Sequence, residues 1–530
     1  MRSRLDSRRA RSDQLGADVR NAVAYGGFQV TTHFDVIIVG AGISGVSAAY
    51  HLQRSLPGKS FAILEGRDAI GGTWDLFRYP GIRSDSDMYT LGFPWRPWPK
   101  TELIADGESI RKYVEDAARE NGIDRKIRFG VRVRRLSWSS EHNTWTLECD
   151  TRQGRTRYSC GFVFLCSGYY SYESAYAPRF AGASEFEGQI VHPQFWSDAV
   201  EYAGKRVIVI GSGATAVTLV PALAEKAEHV TMLQRSPSYV FSAPSENPLV
   251  KALQARLPAE TAYFVARWIS ILVNAGFYKL TRVWPKGMNR FMLQRVREAL
   301  SPNIDVEQHF TPHYNVWDQR VCLIPDGDLF HALLSGRASV VTDTIDRFTR
   351  HGILLQSGRE LEADLIVTAT GIEMQMLAGC ELEVDGERIE RSQLLTYKGC
   401  LFSDVPNLAQ FFGYINASWT LKADLTARWL CRLLEHMEKK GAERCVPRRV
   451  DPSITPEPLL ALTSGYVQRA EGRLPMQGSK FPYKVYQNYF LDLLALRVAK
   501  IEDGTLEFGA GPRAEDHTQP DERTGSVTAR

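Results

Sequence analysis

A glycine that lets the chain turn, a second that admits an anion to the backbone and a third that lets a helix pack closely follow one another in Gly40-Ala-Gly42-Ile-Ser44-Gly45. Such a turn sets a pyrophosphate at the N-terminus of the next helix. Glu65, twenty residues beyond Gly45, stands where a carboxylate holds ribose hydroxyls. The pattern recurs in Gly211-Ser-Gly213-Ala214-Thr215-Ala216, but there Arg235 and Ser236 follow the second strand in place of an acid. An arginine suits the 2′-phosphate of NADP, which a carboxylate would repel. The acid therefore marks the first turn for FAD and the arginine marks the second for NADPH, and electron transfer between the two is expected.

These turns need strands before them and helices after them. Phe34–Val39 and 206–210 are short β-branched runs that read as buried parallel strands, and each turn opens into a helical pattern. Two further runs, 162–166 and 364–368, read as strands where the chain would leave one dinucleotide fold and return to it. The expected fold is α/β, with two Rossmann-like domains, the second inserted into the first. An FAD domain takes 33–167 and 372–508, and an NADPH domain takes 168–371. Helix-period aromatics and arginines over about 242–315 read as a helical insertion, its apolar face packed in the core, with a substrate entrance or a lipid contact as the alternatives. Residues 1–32 and 509–530 are expected to be disordered, with translation starting near Val30.

Composition narrows the function. In 530 residues, 64 Lys and Arg stand against 61 Asp and Glu, a balance of +3 that gives no basic field for nucleic acid. No run is long enough to span a bilayer; the most apolar stretch, 268–277, is bracketed by Arg267 and Lys279. The eight cysteines include no CxxC pair and no zinc spacing, so buried thiols in a reducing cytoplasm and no metal are expected. The missing CxxC also argues against a flavin disulfide reductase, and two separately tuned turns argue against a flavoprotein that only senses or scaffolds.

Gly72-Thr73-Trp74-Asp-Leu-Phe-Arg-Tyr79-Pro-Gly-Ile-Arg-Ser-Asp85 fits G-x-W-x4-[FY]-P-G-x3-D, and Phe186-Glu-Gly188-Gln-Ile-Val-His192-Pro-Gln-Phe-Trp196 fits F-x-G-x3-H-x3-W. With both signatures the chain resembles the type I Baeyer–Villiger monooxygenases over roughly 33–505. Segments 78–89 and 416–422 look most like the ethionamide-activating branch. Ser197 stands where that family usually has Pro or Asp.

The resemblance implies an NADPH-dependent flavin monooxygenase that uses O2 to insert one oxygen beside a ketone carbonyl, giving an ester or lactone, and that also oxidises thioamide or thioether sulfur. An S- or N-oxygenating flavin monooxygenase is the alternative. It implies catalytic roles for Arg320, as the cation beside the reacting oxygen, and for Asp85, as the carboxylate that positions it. Gln319 replaces the lysine that family members often carry before that arginine, leaving Arg235 as the main phosphate contact. Trp74 and Tyr79 would line the flavin, Ser418, Trp419 and Thr420 would sit at a helix start near its polar edge, and His192 and Trp196 would act in a hinge.

Overall fold

The computed structural model describes residues 30–510. The rest of the expected N-terminal extension and tail lies outside the described residues. Strand β1 (Val30–Val39) begins ahead of the boundary expected at 33, and the strand Leu506–Ala510 runs across the one expected at 509.

β1 feeds helix α1 (Ile43–Ser55), which returns the chain to β2 (Phe61–Leu64), and Val36–Val39 lie parallel to Phe61–Leu64 in register. The four residues of β2 are all buried, as a strand covered on both faces requires. By contrast Thr144–Thr151, in the antiparallel part of the same sheet, alternates buried and half-buried side chains. Between the two patterns runs β3 (Gly154–Leu165), which serves both as antiparallel partner of Thr144–Thr151 and as parallel partner of β1. The nine-stranded sheet also takes in Glu381–Val384 and Leu408–Gln410, so chain from beyond residue 371 returns to it.

The second sheet is all parallel. Strand β4 (Arg206–Ile210) leads through the second turn into helix α2 (Ala214–Ala224) and on to β5 (His229–Gln234). Ala338–Thr342 flanks β5; on the other side of β4 lie Leu365–Thr368 and, at the edge, Gln189–Val191. Between 248 and 310 the chain is largely helical, dominated by α3 (Ala259–Val283) and α4 (Pro285–Leu300).

Helix α5 (Trp419–Lys440) ends on Gly441 in the left-handed conformation, with Lys439 and Lys440 in the last turn facing the negative end of its dipole. Its start is pinned by a buried ion pair between Lys422 and Asp492 at 2.9 Å, which also receives the Tyr414 hydroxyl at 2.7 Å. Removing one partner of such a pair costs about 3–5 kcal/mol, because the other charge is left buried alone. Two glycine-capped helices, α1 and α2, thus start at the C-terminal ends of their strands, and α5 is fixed beside the first of them.

Candidate active site

The first turn is closed tightly around its own backbone. A Cβ at Gly45 would lie 1.9 Å from the Gly40 carbonyl oxygen, and one at Gly40, where φ is +106°, would lie 2.6 Å from the Cys166 carbonyl oxygen. Gly42 faces Gly72, whose Cα lies 3.5 Å from where a Gly42 side chain would begin. Neither Gly42 nor the first turn of α1 brings a capping side chain or an acid, so the leading N–H groups are open to an anion. Glu65 is buried, and its carboxylate accepts from the backbone N–H of Ala41 at 2.7 Å and of Arg67 at 2.8 Å. Burial raises its pKa above the usual carboxylate value, and those two N–H groups oppose the rise.

Trp419, at the start of α5, donates from Nε1 to the Ser44 hydroxyl at 2.8 Å, and Ser418 shares a 2.6 Å hydrogen bond with Thr90. Thr420 donates to the Leu91 carbonyl at 2.5 Å. The structure therefore brings the N-termini of α1 and α5 together. Thr73 and Trp74 open the short helix that follows Gly72, and Trp74 packs on the core of the first sheet.

The second turn is looser. A Cβ at Gly211, where φ is +140°, would meet the Ala369 carbonyl oxygen at 2.4 Å, but one at Gly213 would meet nothing within 4 Å. Ser212 fastens the turn by donating to the Ser236 carbonyl at 2.9 Å. Ala214 and Thr215 begin α2, whose first turn also lacks a side-chain cap and an acid. Arg235 and Ser236 are exposed, and Arg235 makes no ion pair among the described residues.

The first signature bridges the two turns. It begins at Gly72 against Gly42 and crosses to α2, where a Cβ on Gly81 would meet the Thr218 carbonyl at 2.9 Å and Ala222 at 2.8 Å. Tyr79, expected along the flavin with Trp74, is instead buried in the core of the second sheet with its hydroxyl bonded to Thr215. Burial pushes that phenol up to about 12. Arg83 pairs with Asp328 at 2.5 Å, and the signature ends at Asp85, which accepts from Arg320 Nη2 at 2.5 Å. The Asp85 carboxylate holds the Arg320 guanidinium still further into its protonated range.

Three tyrosines near this pair carry no motif and were not expected. Tyr170 donates its hydroxyl to that of Tyr169 at 2.9 Å, and Tyr169 stacks on Trp419 with ring centres 5.2 Å apart. Burial pushes Tyr170 and Tyr466 up to about 12, and Arg320 acts on both in the opposite sense. The available signal was positional: Tyr169 follows Gly168 just past the end of β3, the edge where open α/β sheets bind ligands.

The second signature lies at the crossing between the sheets. Phe186 packs against Phe348, and a Cβ on Gly188 would lie 2.5 Å from the Asp364 carbonyl oxygen. His192 Nε2 faces the Gly371 carbonyl at 3.3 Å while its Nδ1 accepts from the Gln194 N–H at 3.1 Å. Gln194 in turn donates to the Ser171 carbonyl at 2.8 Å, so both crossing segments are tied at one point. Trp196 packs edge-on to Tyr202.

All eight cysteines are buried and unpaired, and no helix among the described residues is long and apolar enough to cross a membrane.

Two glycine turns with uncapped helix starts, joined by a loop that sets a carboxylate against an arginine between them, define a protein of the two-dinucleotide class. Residues 98–446 match the flavin-binding monooxygenase-like family and residues 38–101 match an NAD(P)-binding Rossmann-like domain; the chain belongs to the flavin-binding monooxygenase-like family. The FAD-containing monooxygenase EthA of Mycobacterium tuberculosis (strain ATCC 25618 / H37Rv) is 50% identical over 484 residues, covering 91% of this chain and 99% of that protein. In fold the chain is similar to an oxidised steroid monooxygenase bound to NADP (TM-score 0.74, 24% identity, 91% of this chain and 100% of that one). It is likewise similar to a closed cyclohexanone monooxygenase (TM-score 0.62, 20% identity, 79% and 87%).

Proposed function

We propose that the chain is an FAD- and NADPH-dependent Baeyer–Villiger monooxygenase that inserts one oxygen atom of O2 beside a ketone carbonyl and also oxidises thioamide or thioether sulfur. The observation that carries this reading is the Arg320–Asp85 pair at 2.5 Å, between the two turns and at the end of the loop that links them. FAD belongs at Gly40–Gly45, where Glu65 would hold ribose hydroxyls and Trp419 fixes Ser44. NADPH belongs at Gly211–Ala216, with Arg235 free to take a 2′-phosphate.

Flavin reduced by NADPH supplies the reaction with O2. The protein's part is electrostatic. A guanidinium stays protonated at any working pH and can stabilise negative charge on oxygen while its fork is held by a carboxylate. Asp85 orients Arg320, and the high pKa of Tyr170 and Tyr466 keeps them neutral, so they do not offset the cation. The reducing cytoplasm fits eight buried free thiols.

The test is to reduce the holoenzyme with NADPH without oxygen, admit oxygen with a panel of cyclic ketones, linear ketones, thioethers and amines, and identify products by mass. Esters or lactones are expected from ketones. Sulfoxides or N-oxides with no ester from any ketone would replace the reading with S- or N-oxygenation. Arg320→Ala is expected to leave flavin reduction within a few-fold while ester formation falls about 10²–10³-fold, the usual loss of one electrostatic stabiliser. Undiminished ester formation would remove Arg320 from the mechanism.

A further inference from the structure

We propose that the outer face of α3 and the turn into α4 dock the enzyme on an anionic lipid surface, from which it draws apolar ketone or thioether substrates; the substrate half of this inference rests on the function proposed above. Helical spacing puts Ile269, Leu272, Gly276, Leu280 and Val283 in one row along α3. The row points outward: Leu272 is 57% exposed and Val283 72%, and Trp284 at the turn is 61% exposed. A water-facing helix would ordinarily be polar along such a row, whereas a helix lying in a lipid interface is apolar there, rimmed by cations and marked by tryptophan.

The rim is present. Lys279, Lys286 and Arg290 border the row, all three exposed and without an ion-pair partner among the described residues. From residue 261 to 297 the sequence has no Asp or Glu. That charge pattern selects the occupant. A second copy of the chain laid on this face would set these cations against their own counterparts with no carboxylate from 261–297 to receive them, whereas a surface of lipid phosphates complements all three.

The opposite face of α3 reaches the candidate site. Arg267 Nη1 donates to the Tyr89 and Gly92 carbonyls at 2.7 and 2.8 Å, and Asn274 donates to Asp87 at 3.1 Å, just past Asp85. Arg282 pairs with Asp318 at 3.0 Å, just before Arg320. One helix therefore has an apolar side turned outward and an inner side fastened to both segments that carry the Arg320–Asp85 pair, a short route from a bilayer to the site.

The holoenzyme is sedimented with vesicles of phosphatidylcholine alone or with phosphatidylglycerol, and a water-soluble cyclic ketone is assayed in parallel. Binding is expected only with phosphatidylglycerol and is expected to weaken in high salt. Lys279→Glu/Lys286→Glu/Arg290→Glu is expected to weaken it about a hundredfold or more, at about fivefold per cation lost near an anionic surface. Leu272→Glu/Val283→Glu should also abolish it, and neither variant should change turnover of the soluble ketone. No sedimentation with anionic vesicles, while that ketone is oxygenated, would overturn the docking and leave the proposed function standing; sedimentation without any oxygenation would do the reverse. Self-association of the wild type that Leu272→Glu/Val283→Glu abolishes, with no vesicle binding, would assign the face to a second copy and overturn the proposal.

Discussion

The two glycine turns share a pattern and differ in closure. Around Gly40–Gly45 the turn is held from several sides while the leading N–H groups of α1 stay open: Gly40 lies on Cys166, Gly42 faces Gly72, Ser44 is held by Trp419, and Glu65 is buried with both oxygens bonded. Around Gly211–Ala216 only the first glycine is crowded, Gly213 faces open space, and Arg235 projects without an ion-pair partner among the described residues. A ligand held by the first turn would be enclosed by several segments at once, as suits a resident flavin. One at the second would meet an open cradle and an exposed cation, as suits a dinucleotide that arrives and leaves on each turnover.

The contrast breaks most readily at the third glycine. Gly45→Ala puts a Cβ 1.9 Å from a backbone oxygen that cannot move without reshaping the turn. Purified protein is expected to carry less than about a tenth of the flavin of the wild type, read from its visible absorbance, overpacking here costing about 1–3 kcal/mol or more. Gly213→Ala should keep its flavin and alter only the dependence of the rate on NADPH. Equal loss of flavin in both variants would mean that the two turns are not differently built.

A smaller effect is expected at Arg235. A charge-assisted hydrogen bond contributes about 1.5–3 kcal/mol, so Arg235→Ala should lower kcat/KM for NADPH about ten- to 150-fold and leave that for NADH nearly unchanged. The exposed side chain has no ion-pair partner among the described residues, so the fold should be unaffected. A matching loss with NADH would remove Arg235 from 2′-phosphate recognition.

What the sequence carries legibly is local. The glycine turns, the acid after β2 and the arginine after β5 are set by a few neighbouring residues, and a strand–turn–helix unit repeats that geometry wherever it occurs. The start of β1 was less legible: Thr32 and His33 lie ahead of the apolar run Phe34–Val39, yet they pair with Tyr158 and Ser159, and His33 bonds the Ser159 hydroxyl at 3.0 Å. Strand pairing carried β1 past the end of its apolar run. Contacts between the halves left the weakest trace. Tyr79 on Thr215, Gly81 on Thr218 and Tyr170 near Arg320 join residues far apart in the chain, and no periodicity within either segment records such a meeting. The helix-period apolar pattern of α3 was visible in the sequence, but a face packed in the core and a face turned outward give the same spacing, and only burial separates them.

The smallest expected effect concerns the joint between the halves. A neutral imidazole has one donor and one acceptor. His192 uses both, Nδ1 accepting from Gln194 and Nε2 facing Gly371, and burial lowers its pKa below the ordinary 6.5, with the Gly371 carbonyl opposing the shift. A second proton would land on Nδ1 and remove the bond from Gln194, which is itself the tie to Ser171. Because the folded pKa lies below the unfolded one, the unfolded chain binds the proton first. The contribution of His192 is therefore complete above about pH 6.5 and is lost as the pH falls below it, by at most about 1.4 kcal/mol per pH unit for one proton. Melting of the holoenzyme between neutral and mildly acidic pH should thus fall more steeply for the wild type than for His192→Ala, whose Tm is lower at neutral pH but converges with that of the wild type in acid. Parallel curves would show that the two crossing segments are held together without His192, by the backbone bonds of Ser171 to Glu373 and of Gln375 to Tyr169.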